Sequence, residues 1–76
     1  MNKDIANELK AIRTRLNIRR EDAAKDNDLS LETLRRYETD ASNISIKKLE
    51  QILDYYGVNR YTFFNTICEY NHERSD

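Results

Sequence analysis

The chain contains no proline and one glycine, Gly57, while apolar residues recur at intervals of three and four along almost all of its 76 positions. Such spacing gives an α-helix one apolar face, and few residues that break helices interrupt it. No segment shows the two-residue alternation that is typical of a half-buried β-strand. The sequence therefore predicts an all-α fold, before any motif is considered.

Five helices follow from this spacing, over residues 3–16, 20–26, 31–38, 45–56 and 60–71. Ser30, Gly57 and Asn59 mark helix ends, as an N-cap, a left-handed C-terminal residue and a second N-cap. We expect one domain over residues 1–71 and a flexible tail over residues 72–76. The residues expected to face the core are Ile5, Leu9, Ile12, Leu16, Ala23, Ala24, Leu31, Leu34, Tyr37, Ile46, Leu49, Ile52, Leu53, Tyr56, Phe63, Phe64, Ile67 and Cys68.

The composition argues against several classes of protein. Cys68 and His72 are the only cysteine and histidine, so neither a disulfide framework nor a metal site is expected. No apolar run is long enough to span a membrane and no secretory signal is apparent, so we expect a cytoplasmic protein. No nucleophile, base and orienting group can be combined into an active site, so neither an enzyme nor a cofactor is expected.

The segment between the second and third helices predicts a helix-turn-helix. The connection, residues 27–29, is short and contains the two residues that best tolerate a left-handed backbone after glycine. Leu29 in this turn is expected to be buried between the flanking helices. Ala23 and Ala24 on the second helix would let another helix approach closely. Two short helices with a tight turn and a buried hydrophobic residue are typical of this motif.

In order and spacing, these elements resemble the phage repressor and Cro family of helix-turn-helix proteins, also called the XRE family. The similarity covers about residues 3–67. It is carried by residues 18–24 in the second helix, 28–30 in the turn, 33–38 in the recognition helix, and Leu49, Ile52, Leu53, Gly57 and Val58 around the fourth helix. The chain departs from the family pattern at Asp28 and Asp40, which replace glycines, at Arg19, which replaces a Ser or Thr N-cap, and at Arg20, which replaces a frequent Gln.

The resemblance implies a five-helix, repressor-like domain whose third helix, residues 30–38, reads the major groove of DNA. It favours Leu31, Glu32, Arg35 and Arg36 as the residues that contact bases. A guanidinium matches the acceptors of guanine or phosphate, Glu32 can accept from cytosine, and Leu31 can contact a thymine methyl. The alternative for Glu32 and Arg36 is an ordinary solvated ion pair four residues apart.

Phosphate contacts are expected from the start of the second helix and from the loop that leads into the fourth. Arg20 stands at a helix N-terminus, where backbone N–H groups also favour an anion. The alternative for the loop residues is ordinary polarity and capping. The six candidates are Arg19, Arg20, Ser42, Asn43, Ser45 and Lys47.

Arg13 and Glu38 are interpreted as a structural ion pair, because the family commonly pairs residues at these places. The pair would be partly buried and would hold the helix-turn-helix against the first helix. Removing one partner should cost more than its exposure suggests, since the other charge stays buried.

Aromatic residues concentrate in the last third of the chain, and more are present than one helix can bury. Part of this set is therefore a candidate homodimer face, formed by Tyr55, Tyr61, Phe63 and Tyr70. Packing into the core alone remains open for Tyr56, Phe64 and Ile67. Dimers and two-fold operators occur together in this family.

The leading hypothesis is a transcriptional regulator, a repressor in a phage, a mobile element or a bacterial chromosome, since the chain has no room for an effector-binding domain. The net charge of −1 is unusual for such a protein, because residues 1–38 contribute +1 and residues 39–76 contribute −2. The alternative is a protein-interaction module of the antirepressor or antitoxin type. A protein antagonist is a further partner that the sequence leaves open.

Overall fold

The computed structural model describes the backbone of residues 2–74 and the side chains of residues 2–69. Over this part of the chain it contains five α-helices and no strand, which confirms the predicted fold class. The helices are α1 (Asn2–Arg15), α2 (Arg20–Asp26), α3 (Leu31–Tyr37), α4 (Ile46–Tyr56) and α5 (Arg60–Arg74), with a 3-10 turn at Ala41–Asn43. In the described residues, no helix has the length and apolarity that crossing a membrane requires.

The helix boundaries follow from the local signals that the sequence contains. The Ser30 hydroxyl accepts a hydrogen bond from the Thr33 backbone N–H at 3.0 Å and so caps α3. Gly57 ends α4 with φ of +72°, a conformation that favours glycine. Asn59 precedes α5 and accepts a hydrogen bond from the Tyr61 N–H at 2.7 Å.

One hydrophobic core joins all five helices. Its buried side chains include Leu9, Ile12, Ala23, Ala24, Leu34, Leu49, Ile52, Leu53, Tyr56, Phe63 and Ile67. Leu29, which was expected to be buried in the turn, is half-buried and packs against this core, as do Ile5, Tyr37 and Phe64. Leu31 is also half-buried. The core therefore lies behind α3 and holds that helix from one side only.

Three of the residues that were expected to face the core are exposed. Leu16 is 47% exposed and Ile46 is 67% exposed, and Cys68 is exposed as well. Leu16 follows the last residue of α1 and Ile46 is the first residue of α4. At the end of a helix, the apolar stripe can extend beyond the part that neighbouring helices cover, so such a residue is left exposed.

The last helix is longer than the sequence predicted. It continues to Arg74, three residues beyond the expected end at Asn71, and residues 75 and 76 lie outside the described part of the chain. The flexibility of residues 72–76 stays a prediction.

Candidate nucleic-acid interface

The two alanines of α2 set the distance between α2 and α3. Ala23 and Ala24 are buried, and Leu34 of α3 is buried in the same core. An alanine presents only a methyl group, so the helix behind it can pack closely. This packing fixes which side of α3 faces outward.

The turn between α2 and α3 is held by several hydrogen bonds. Asp28 adopts φ of +56°, and the N–H of Leu29 donates to the Ala24 carbonyl at 2.8 Å, which closes α2 with a left-handed cap. The buried Asn27 side chain donates to the Ala23 carbonyl at 2.8 Å. The turn is therefore rigidly attached to α2, although aspartate replaces the usual glycine.

Two side chains of α4 attach the end of α2 to the rest of the molecule. The Gln51 amide donates to the Asn27 carbonyl at 3.0 Å, and the Tyr55 hydroxyl donates to the Asp26 carboxylate at 2.8 Å. This hydrogen bond raises the pKa of Tyr55, because the acceptor carboxylate favours the neutral phenol. These contacts join residues 24 and 29 positions apart in the chain, so no local sequence pattern predicts them.

The outward side of α3 carries Glu32, Arg35 and Arg36, all of them exposed. Leu31 is half-buried, so it keeps some apolar surface at the start of the helix. Within residues 2–69, no carboxylate lies within ion-pair distance of either arginine, so the alternative Glu32–Arg36 ion pair is not formed. Both guanidiniums are therefore available to an external acceptor.

Four of the expected phosphate contacts lie together after α3. Ser42, Asn43, Ser45 and Lys47 are all exposed. Ser45 also caps α4, since its hydroxyl oxygen accepts from the Lys48 N–H at 3.0 Å. Its hydroxyl hydrogen is left for an outside acceptor, so capping and phosphate binding are compatible at this position.

Arg19 and Arg20, at the start of α2, differ in their surroundings. Arg19 is 73% exposed and lies 3.4 Å from Asp22, in an exposed pair of the kind that contributes little to stability. As its residue type predicts, Arg19 gives α2 no side-chain cap. Arg20 is instead half-buried, and its Nε donates to Glu38 Oε1 at 3.1 Å.

The ion pair between Arg13 and Glu38 is present. Arg13 donates from Nε to Glu38 Oε2 at 2.7 Å and from Nη2 to Oε1 at 3.1 Å, and from Nη1 to the Ile18 carbonyl at 2.9 Å. The side chain of Glu38 is 2% exposed, so these bonds are shielded from water. The hydrogen bond to Glu38 raises the pKa of Arg13 and keeps the guanidinium charged. The pair joins α1 to the end of α3.

The family model described as helix-turn-helix matches residues 9–63, most of the chain. The chain belongs to this family, the Cro- and repressor-type XRE proteins. The family match supports a DNA-binding transcriptional regulator. No curated protein sequence matches the chain.

Solved structures of the restriction-modification controller protein C.Esp1396I share the fold of this helix-turn-helix protein. One point mutant has a TM-score of 0.85 and 24% identity, over 93% of this chain and 92% of that one. A second mutant gives the same values. A third, in a trigonal crystal form, has a TM-score of 0.82 and 25% identity, over 88% and 89% of the two chains.

Among the described side chains of this helix-turn-helix protein, the candidate dimer residues Tyr55, Tyr61 and Phe63 do not share one exposed surface. Tyr61 is 75% exposed, but Phe63 is 1% exposed and belongs to the core, so its assignment to a dimer face was wrong. The period of a helix does not show which of two adjacent aromatic residues points inward. Tyr55 is half-buried and bonded to Asp26, and the side chain of Tyr70 lies outside the described residues.

The contact between Arg20 and Glu38 in the candidate interface was not predicted from the sequence. The two residues are 18 positions apart, on different helices, so no local period joins them. The one sequence feature that pointed to this contact was Arg20 itself, at a position where the family often has glutamine. In the described part of the chain, no group of side chains is suited to hold a metal ion.

Proposed function

We propose that this protein is a sequence-specific, double-stranded DNA-binding regulator that reads the major groove with residues 30–38 and acts as a repressor. The observation that carries the proposal is the outward side of α3. There Arg35 and Arg36 are exposed and free of carboxylate partners among the described side chains, while Leu34 on the opposite side is buried. An α-helix fits the major groove of DNA. The charged side of α3 faces outward, where a duplex can bind it.

The residue types on α3 match the groups at base edges. Arg35 and Arg36 each offer a planar fork of donors for O6 and N7 of guanine. Glu32 can accept from the cytosine amino group, and the half-buried Leu31 offers apolar surface to a thymine methyl. The expected site therefore contains guanines opposite the two arginines.

Phosphate contacts would flank the recognition helix on both sides. Arg19 and Arg20 at the start of α2 lie before α3 in the chain, and Ser42, Asn43, Ser45 and Lys47 lie after it. Contacts from both flanks would fix the position of α3 along the groove without reading sequence themselves.

A homodimer would place two recognition helices on a two-fold symmetric operator, with half-sites about 34 Å apart. Repression is the simplest consequence, because a protein bound over a promoter excludes the polymerase. The similarity to a restriction-modification controller protein is in line with a regulatory role.

The alternative is a helix-turn-helix that binds a protein antagonist or target and not DNA. It is favoured by the exposed acidic residues Glu21, Asp22 and Asp26 on α2 and by the exposed Tyr61. An acidic face beside the recognition helix would repel phosphates and attract a basic protein.

Titration of the protein with a pool of random-sequence DNA duplexes at several salt concentrations tests the proposal. Three cationic phosphate contacts per protomer in a dimer give a slope of log K against log salt of about −5. A steep loss of affinity with salt is expected. Absence of binding at low salt would refute the proposal and favour the protein-interaction module.

A further inference from the structure

Glu38 receives hydrogen bonds from two guanidiniums at once. Arg13 Nε donates to Oε2 at 2.7 Å, and Arg13 Nη2 and Arg20 Nε both donate to Oε1 at 3.1 Å. Arg13 alone neutralises the carboxylate, so the group of three carries one net positive charge. The side chains of Arg13 and Glu38 are 11% and 2% exposed, whereas that of Arg20 is 26% exposed. The excess charge therefore reaches solvent through Arg20.

The bond to Glu38 leaves most of Arg20 available. A guanidinium has five N–H donors, and Glu38 engages the one on Nε, so the four on Nη1 and Nη2 remain. A long side chain normally loses rotamer freedom when it binds a ligand. Here part of that loss occurs on folding, because the buried carboxylate already holds the guanidinium in one orientation.

From this geometry we infer that Glu38 is a positioning residue for DNA binding, which fixes Arg20 as a pre-oriented donor to one backbone phosphate. The inference rests on the proposed function and adds to it a second role for a residue interpreted as purely structural. Glu38 closes the recognition helix and orients a phosphate contact at the start of α2. The orientation of α3 and the position of that contact are thereby set by one side chain.

Arg20→Lys is the most direct test, because it keeps the charge but removes the Nε–H bond and the planar fork. If Glu38 positions the guanidinium, specific duplex binding by Arg20→Lys weakens about tenfold, close to the loss in Arg20→Gln. Binding to random-sequence duplex weakens little in Arg20→Lys, since charge suffices there. Arg20→Gln reduces the slope of log K against log salt by about 0.9 per protomer.

Arg15→Lys is the matched control. Arg15 also contacts a buried glutamate, Glu8, at 3.4 Å, but it is not part of the proposed DNA interface. The same substitution there is expected to leave specific and random-sequence binding within twofold of the original protein.

Glu38→Gln gives a second test, because the two explanations predict opposite changes in DNA affinity. If Arg20 acts only through its charge, removing the carboxylate strengthens DNA binding. If Glu38 positions Arg20, specific binding weakens even after correction for the folded fraction measured by circular dichroism. Should this variant not fold, Arg20→Lys remains decisive, because Arg13 still neutralises Glu38 in that protein.

The outcomes separate the inference from the proposed function. If the original protein binds no duplex at low salt, the proposed function fails and the inference fails with it. If it binds, but Arg20→Lys matches it within twofold for specific duplex, only the inference is overturned.

Discussion

Tyr56 carries a buried hydroxyl that has no hydrogen-bond partner, the single such side-chain atom among the described residues. Its side chain lies in the core near Arg13 and Glu38. Burial raises the pKa of Tyr56 to about 12, with a smaller contribution in the same direction from Glu38. A buried phenol without an acceptor costs stability, since it loses its hydrogen bonds to water.

We predict that Tyr56→Phe is more stable than the original protein by about 1 kcal/mol at neutral pH, because it removes the unpaired hydroxyl. The two proteins should also differ in their response to alkali. The folded state raises the pKa of Tyr56 above that of the unfolded chain. Stability from this group is complete below pH 10 and is lost as pH rises from 10 to about 12.

Urea unfolding at a series of pH values measures both effects. The stability of Tyr56→Phe relative to the original protein should grow above pH 10. A constant difference across that range, or a less stable variant at pH 7, would contradict this account of Tyr56.

The contacts of single residues were only partly predictable from sequence. Arg13 and Glu38 were paired in advance because the family resemblance supplies both positions. The bond from Arg20 to the same carboxylate was not, because it depends on how α2 and α3 pack. Phe63 was expected both in the core and on a dimer face for a related reason, since Phe63 and Phe64 have equal hydrophobicity and only the fold decides which one is buried.

At the scale of the elements, α2 and α3 begin with nearly the same backbone and different caps. Arg19 has φ of −71° and ψ of 147° and makes no cap, whereas Ser30 has φ of −73° and ψ of 155° and does. An N-cap side chain satisfies backbone N–H groups that the helix leaves unpaired. The two helices therefore allow a capped helix start to be compared with an uncapped one in the same protein.

We predict that Ser30→Ala destabilises the protein by about 1 kcal/mol, and that Arg19→Ser stabilises it by a comparable amount. The matching backbone geometry lets serine cap α2 as it caps α3, and the exposed contact of Arg19 with Asp22 is a small loss. The free energy of unfolding in urea measures both changes. A neutral Ser30→Ala together with a destabilising Arg19→Ser would show that capping does not limit these helices.

The helix bounds were the most predictable part of the fold, because capping and left-handed residues act locally. α2 was predicted to its terminal residues. Burial at helix ends was less predictable, as Leu16 and Ile46 show. The helical spacing places both residues on the apolar face of their helices. A residue at the end of a helix is nevertheless buried only if a neighbouring element extends far enough to cover it.

At the scale of the whole molecule, the exposed apolar side chains bear on self-association. Tyr61 is the most exposed of the large apolar side chains among the described residues. A homodimer that used it would bury a ring able to supply both apolar area and a hydrogen bond. The proposed two-fold operator requires such a dimer, at least on DNA.

We predict that Tyr61→Ser weakens self-association at least tenfold. The free energy of unfolding of the monomer should stay nearly unchanged, because the Tyr61 ring is mostly exposed and packs little against the core. Analytical ultracentrifugation over a range of concentrations measures this. Leu16→Ser is the matched control, an exposed apolar residue at a different place. Equal effects of the two substitutions would argue against a specific face at Tyr61.

The central claim, that α3 reads bases through its outward arginines, is tested most directly by selecting bound sequences from a random duplex library. The original protein should enrich a two-fold symmetric site that contains guanines. Arg36→Ala should enrich the same site with one position per half relaxed, a loss of about 1–3 kcal/mol of discrimination. Arg60→Ala, which removes an exposed arginine paired with Glu50 on another part of the surface, should select the original site. Identical preferences for Arg36→Ala and the original protein, or no enrichment at all, would contradict the claim.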